Sequence, residues 1–407
     1  MQKDRFSEII ELILQGVERL PNPPRDSLKK ELVILKELIM DSRAPKIMII
    51  GRRGAGKSSL INALFKKEVA AVGSVLSKTP FGRWYSYKHE DNTLEIMDTR
   101  GLGDSTRPEE AKFDASIDEI KLELEHKYPD VILFLAKAKE VDSRIEEDIE
   151  NIKEILEFIE NKHGYKIPLI AAITQVDELD PIDVLPPYDD AEKQENIATA
   201  VKRVSEIFEQ HALKLMHILP ISAYARFKDD RIVSHRFWQV DKLVEYLIEN
   251  LPLEAQLELA RLSKITKVQK KLSRVVITSS AAICSGIAIT PIPLADILPI
   301  TATQIGMIIG IGYISGLKLE KSAAIKFLTA VGVDVGVAVA FRELARALVK
   351  FAFPGGGLVI SASIAFAGTW AIGEAAIAYF IEGRTIEEAK AVFNATKKMK
   401  ETEYKKL

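Results

Sequence analysis

The chain holds a single cysteine, Cys284, so no intramolecular disulfide can form, and a reducing compartment is the expectation. Cys284 lies in an apolar run and reads as a small buried residue. Its six histidines (His89, His126, His163, His211, His217 and His235) are scattered, and with one cysteine they give no zinc-ligand spacing. Net charge is also scarce. The 56 Lys and Arg and 58 Asp and Glu leave −2, and acidic residues interrupt the basic clusters. That removes the broad basic field of a nucleic-acid binder, so no nucleic-acid partner is expected. The first twenty residues carry acidic side chains on a helical rhythm rather than the apolar core of a signal peptide, which makes a cytoplasmic N-terminus the expectation. No repeat sets a solenoid.

Three regions separate along 407 residues, enough for two or three domains. Residues 1–44 read as two amphipathic helices. Ile9, Ile10, Leu12, Ile13 and Val17 recur at helical spacing, the PNPP segment at 21–24 breaks the run, and Leu28, Leu32, Leu35 and Leu38 restart it. These helices are expected to pack on the C-terminal helices. Residues 45–250 alternate short apolar strands with charged helices. Strands are predicted at Lys46–Ile50, Val131–Leu135, Pro168–Ile173 and His217–Pro220, with a hairpin over Gly82–Lys88 and Thr93–Met97. Helices fall at Glu109–Lys127 and Arg144–Lys162. This pattern predicts an α/β domain with a mostly parallel sheet and one antiparallel edge strand. Residues 251–407 predict an all-α helical domain. Between Val275 and Ile381 only eleven of 107 residues are charged, against 28% overall.

The chemistry begins at Gly51-Arg52-Arg53-Gly54-Ala55-Gly56-Lys57-Ser58, a gapless G-x-x-x-x-G-K-[ST] between the strand KIMII and the helix SSLINALF. The glycines let backbone N–H groups of Gly54, Ala55, Gly56, Lys57, Ser58 and Ser59 turn toward phosphate oxygens at a helix N-terminus. Lys57 would reach the β- and γ-phosphates and the Ser58 hydroxyl would bind Mg²⁺. Asp98-Thr99-Arg100-Gly101 follows the strand LEIM. Asp98 can hold a magnesium-bound water and Gly101 can sense the γ-phosphate. Thr174-Gln175-Val176-Asp177 ends the strand PLIAAI, and the Asp177 carboxylate can accept N1–H and the 2-amino group of guanine, a donor pair adenine lacks. Ser222-Ala223 could lend a backbone N–H to guanine O6. The cofactors expected are therefore GTP or GDP with Mg²⁺.

This ordered set resembles the small GTPase superfamily at its Era/septin-like end, over residues 45–250. The resemblance implies a P-loop GTPase fold, GTP hydrolysis and a switch threonine on Mg²⁺, best placed at Thr79 in SKTPFG. Two departures stand out. T-Q-x-D replaces N-K-x-D, so Thr174 lacks the asparagine amide and Gln175 lacks a lysine stem over the base. Leu102 follows Gly101 where Ras-like enzymes carry a water-orienting glutamine, which implies slow intrinsic turnover. Arg53 on the loop could approach the γ-phosphate in cis, or a partner's site in trans within a homodimer through the nucleotide domain. A solvated residue on the loop rim is the plainer reading.

The segment 291–316 resembles the signature of domain of unknown function 697, a YcjF-like group, and the helix–G domain–helix order resembles immunity-related GTPases. Pro291 and Pro293 should end a helix, Asp296 should cap the next, and Gly355-Gly356-Gly357 should separate two later ones. The resulting hairpins are long enough to cross a hydrocarbon layer. Gly306, Gly310, Gly312, Gly316, Gly332 and Gly336 at four-residue spacing would permit close helix approach. Three readings stand: association with the cytoplasmic face of a membrane or insertion in it, a tight apolar core inside a soluble bundle, or hairpins that stay buried until nucleotide state or assembly exposes them. Thr385-Ile386-Glu387-Glu388 predicts a capping box for a final polar helix.

Overall fold

Two amphipathic helices open the chain, α1 (Gln2–Glu18) and α2 (Pro24–Leu35). Pro24 sits where its missing N–H costs nothing, at the first helical position. Phe6, Ile9, Ile10, Ile13 and Val17 form the buried stripe of α1, whereas Leu12 faces solvent. The computed structural model describes residues 2–22, 24–70, 83–89, 92–99, 115–141, 145–229, 231–288, 297–332 and 357–404. Its contacts divide into two compact units, Arg43–Ser263 and a second formed by Met1–Ser42 with Lys264–Leu407.

The unit Arg43–Ser263 is built on β1 (Lys46–Ile50), α3 (Lys57–Phe65), β2 (Arg83–His89), β3 (Asn92–Asp98), α4 (Ala115–His126), β4 (Val131–Lys137), α5 (Ile145–His163), β5 (Leu169–Thr174), α6 (Ala191–Gln210) and β6 (His217–Pro220). After these come β7 (Ala225–Lys228), β8 (Arg231–His235), α7 (Val240–Asn250) and α8 (Leu253–Ser263). The main sheet runs β2-β3-β1-β4-β5-β6. Every pairing is parallel except the edge hairpin β2–β3. The near-continuous apolar runs of β1, β4 and β5 suit strands covered on both faces. One face buries Met48, Ile50, Ile132 and Phe134 against Leu124 of α4, the Ile149/Ile152/Ile155/Ile159 stripe of α5, and Val204 and Phe208 of α6. Each such side chain contributes about 1.5–3 kcal/mol of burial. On the remaining helices, α3 packs on α7 and α8, and α8 on β3. Arg43 fixes the start of this unit, donating to both oxygens of Asp130 at 2.8 and 2.7 Å and to Glu254 at 3.2 Å. Helix α8 therefore belongs to this unit, which extends past residue 250. The small hairpin β7–β8 is a feature that sequence pattern did not suggest.

In the helical unit α9 (Thr266–Ala288) packs on α2, α10 (Ile297–Ile314) and α12 (Gly357–Ala376). Helix α1 lies on α10. Helices α11 (Lys321–Ala330) and α13 (Ile386–Tyr404) complete the described residues. Close approach explains two glycines. A Cβ on Gly306 would meet Ile9 at 2.9 Å, and one on Gly373 would meet Ile277 at 2.3 Å. The Thr385 box forms as the spacing predicts: Thr385 N–H donates to Glu388 Oε2 at 2.8 Å and Glu388 N–H to Thr385 Oγ1 at 3.2 Å. Cys284 is fully buried, and burial pushes its thiol up to about 12. Asp296, Gly336 and the turn at 355–356 lie outside the described residues. Among those described, the helix Ala362–Ile381 is long and apolar enough to cross a membrane, and half of it is buried in the protein.

Candidate functional site

The loop between β1 and α3 turns at Gly54 (φ 81°) and Gly56 (φ 85°), a left-handed geometry that side chains resist. Gly51 is required for space, because a Cβ there would meet the Leu135 carbonyl oxygen at 2.7 Å. Ala55 N–H bonds Arg52 O at 3.1 Å and closes the turn. Helix α3 begins at Lys57 with no side-chain cap, and the N-terminus of a helix suits an anion. Lys57 is 8% exposed, and its ammonium folds over the loop to donate to Gly51 O and to Arg52 O at 3.1 Å. This is a buried cation beside a helix N-terminus, a setting for a polyanionic phosphate tail.

The end of β5 grips the same loop. Thr174 Oγ1 donates to Ala55 O at 2.9 Å, with Ala136 O at 3.3 Å, and Gln175 Nε2 donates to Gly54 O. Gln175 adopts φ 58°, which turns the chain so that Asp177 follows in a short 3₁₀ turn. Asp177 is 7% exposed, and its Oδ1 accepts the Ser222 hydroxyl at 2.9 Å. The Ser222 N–H is engaged by Trp238 O at 3.1 Å, and Trp238 N–H returns to Ser222 O at 3.0 Å. Ser222 thus orients the carboxylate through its hydroxyl, and Ala223 lies buried beside it.

Sequence reasoning missed the support of this site. Arg52, passed over as a variable loop position, donates through Nε to Asp148 Oδ2 on α5 at 2.9 Å. Asp148 is 2% exposed, and burial raises its pKa despite the Arg52 bond. Lys193, also unremarked in sequence, is fully buried beneath the turn after Asp177. Neither contact has a local signal, because the partners lie far apart in the chain. Arg53 is exposed on the loop rim.

Asp98 closes β3 in register with Ile49 of β1, which brings its backbone to the strand end beside the phosphate loop. Thr99 is buried and anchors that end, its hydroxyl donating to Ile49 O at 3.1 Å. Thr79, Gly101 and Leu102 lie outside the described residues. The described residues contain no group of three His, Cys, Asp or Glu side chains that could enclose a metal. The Ser58 hydroxyl on α3 is the kind of hard oxygen ligand that magnesium takes, the rest of its shell being filled by phosphate and water.

Residues 46–175 match the family model described as "50S ribosome-binding GTPase". The chain is 28% identical over 313 residues to GTPase Era of Campylobacter jejuni (strain RM1221), covering 71% of this chain and 92% of that protein. It is 27% identical over 215 residues to the uncharacterized protein YfjP of Escherichia coli (strain K12), covering 52% and 63%. Among solved structures, Toc33 from Arabidopsis thaliana in complex with GDP and Mg²⁺ superposes with a TM-score of 0.34 at 18% identity, covering 57% of this chain and 94% of that one.

Proposed function

We infer, from the premise that this chain is a GTP-hydrolysing enzyme carrying a P-loop GTPase domain, that it is a magnesium-dependent guanine-nucleotide switch whose helical unit is the output. The observation that carries this reading is the double tie from Thr174 and Gln175 to the carbonyls of Ala55 and Gly54. It joins the phosphate loop to the segment bearing Asp177, which supports one site for both ends of a nucleotide. In this reading Lys57 and the amides of residues 54–59 stabilise phosphate charge, and Asp177 accepts guanine N1–H and the 2-amino group. Ala223 N–H donates to O6. Ser58 and Thr79 would hold Mg²⁺, with Asp98 acting through water, and Gly101 would report the γ-phosphate. Bound magnesium supplies charge neutralisation on the β- and γ-phosphates.

Calorimetry with GTP, GDP and ATP, with and without Mg²⁺, tests the assignment. Tight GTP and GDP binding that needs Lys57 is the expected result, and ATP binding as tight as GTP would remove the guanine reading. The absence of a glutamine at Leu102 supports a second element, in which turnover stays slow until another copy completes the site. Specific activity should then rise with protein concentration, and Arg53→Ala should flatten that rise if Arg53 acts in trans.

For the output, the apolar helix Ala362–Ile381 supports a lipid surface reached when nucleotide or assembly exposes the helices. Liposome flotation with GDP, a non-hydrolysable GTP analogue or no nucleotide decides it, and no lipid recovery in any state would defeat it. The family description names ribosome binding, against the near-neutral charge that argues for no nucleic-acid partner. Co-sedimentation with 50S subunits separates these outputs.

A further inference from the structure

Lys193 is an expensive residue where it stands. It occupies the first turn of α6, with its N–H bonded to the capping Asp190 carboxylate at 2.9 Å, and its side chain is fully buried. Burying an ammonium is costly, and a methionine would fill the same space without charge. What the charge adds is convergence. Its Nζ donates to Asp177 O at 3.3 Å, to Leu179 O, and to Pro181 O at 3.2 Å. Three alternate carbonyls of the turn that begins at Asp177 are thereby wrapped around one cation.

A second arm closes on the same residue. The Lys193 ammonium lies 5.1 Å from the centre of the buried Tyr188 ring, and that ring meets Trp238 edge-on at 5.1 Å. Trp238 exchanges two backbone hydrogen bonds with Ser222, and the Ser222 hydroxyl holds Asp177 Oδ1. The main chain of Asp177 is thus fixed from α6, and its carboxylate from the strand end after β6. The two supports meet at Tyr188, whose ring lies between the Lys193 ammonium and the Trp238 ring.

We propose that Lys193 is a positioning residue for base selection, the clasp of a Lys193–Tyr188–Trp238–Ser222 latch that aims the Asp177 carboxylate at the two donors of guanine. This rests on the guanine reading given above. A misaimed carboxylate loses the second of those hydrogen bonds first, so discrimination should fail before phosphate binding does.

The test compares GDP, inosine diphosphate (which lacks the 2-amino group) and inorganic tripolyphosphate on the full chain with Mg²⁺. The unsubstituted protein should prefer GDP over inosine diphosphate by about tenfold, the value of one hydrogen bond to a charged group. In Lys193→Met that ratio should fall toward one, while tripolyphosphate binding stays within about twofold. Ser222→Ala, which leaves Lys193 in place and removes the hydroxyl that holds Asp177 Oδ1, should lower the ratio in the same sense, and keeps the proposal open to test if Lys193→Met does not fold. An unchanged ratio in a folded variant, or equal weakening of all three ligands, overturns the latch. A ratio near one in the unsubstituted protein would instead sink the guanine reading itself, so the two failures are distinct.

Discussion

Thr174 shares one hydroxyl proton between two carbonyls, with the shorter bond to Ala55 in the phosphate loop. A threonine is shorter than the asparagine the motif usually carries, and its sequence reading is a weakened site. In place, the hydroxyl and the Gln175 amide together make the contact between loop and base segment. Thr174→Val keeps the shape and removes the donor, leaving the Ala55 carbonyl without this partner. GDP affinity should fall about tenfold with little change in secondary structure, read by calorimetry and circular dichroism. Arg52 offers a second test. Its removal leaves the Asp148 carboxylate buried without its cation, a loss of about 3 kcal/mol at the low end for broken buried pairs, since Arg52 keeps part of its surface in water. Denaturant melts of Arg52→Ala should show that loss, and Asp148→Asn, which buries no carboxylate and keeps a carbonyl acceptor for the partly solvated Arg52, a smaller one.

At the scale of elements, α13 depends on its start. The Thr385–Glu388 box satisfies two N–H groups at the helix entrance. Thr385→Ala should cost about 1 kcal/mol and show first as faster amide exchange over residues 386–389. The end of the preceding helix is held by charge. A hydrogen bond from Lys270, opposed by desolvation and aided by the charges of Lys270 and Arg384, holds the Glu382 carboxyl below its ordinary range. A carboxylate depressed on folding contributes stability above its unfolded pKa of about 4.3 and loses it as pH falls through the lower folded value. Glu382→Gln should therefore destabilise the protein at pH 7 and make no difference at pH 2, as thermal melts at the two values would show.

Over the whole molecule, two compact units mean that unfolding need not be one transition. A ligand that binds only the Arg43–Ser263 unit raises its stability by mass action, about 2.7 kcal/mol at a hundredfold excess over Kd. Calorimetric scans with and without GDP should move the transition of that unit, and a single transition shifting as a block would show the units to be energetically coupled.

The strand, loop and helix of the candidate site were readable in the chain because their parts are local. A strand, a glycine turn and a helix start follow one another at 46–65, Asp98 ends an apolar run, and Asp177 lies three residues past the end of another. The same locality made the Thr385 box legible. Leu12 shows the limit of periodicity: it keeps the helical spacing but faces solvent, because α1 buries only one side. Hydrophobic pattern and turn chemistry thus determined the sheet, the loop and the apolar character of the C-terminal helices. The Arg52–Asp148 pair, the closure of Lys193 over the turn after Asp177, and the loss of the Ser222 N–H to Trp238 were decided by tertiary structure alone. Each joins groups whose separation in sequence carries no periodic signal, and burial, which sets their energy, exists only once the chain has folded.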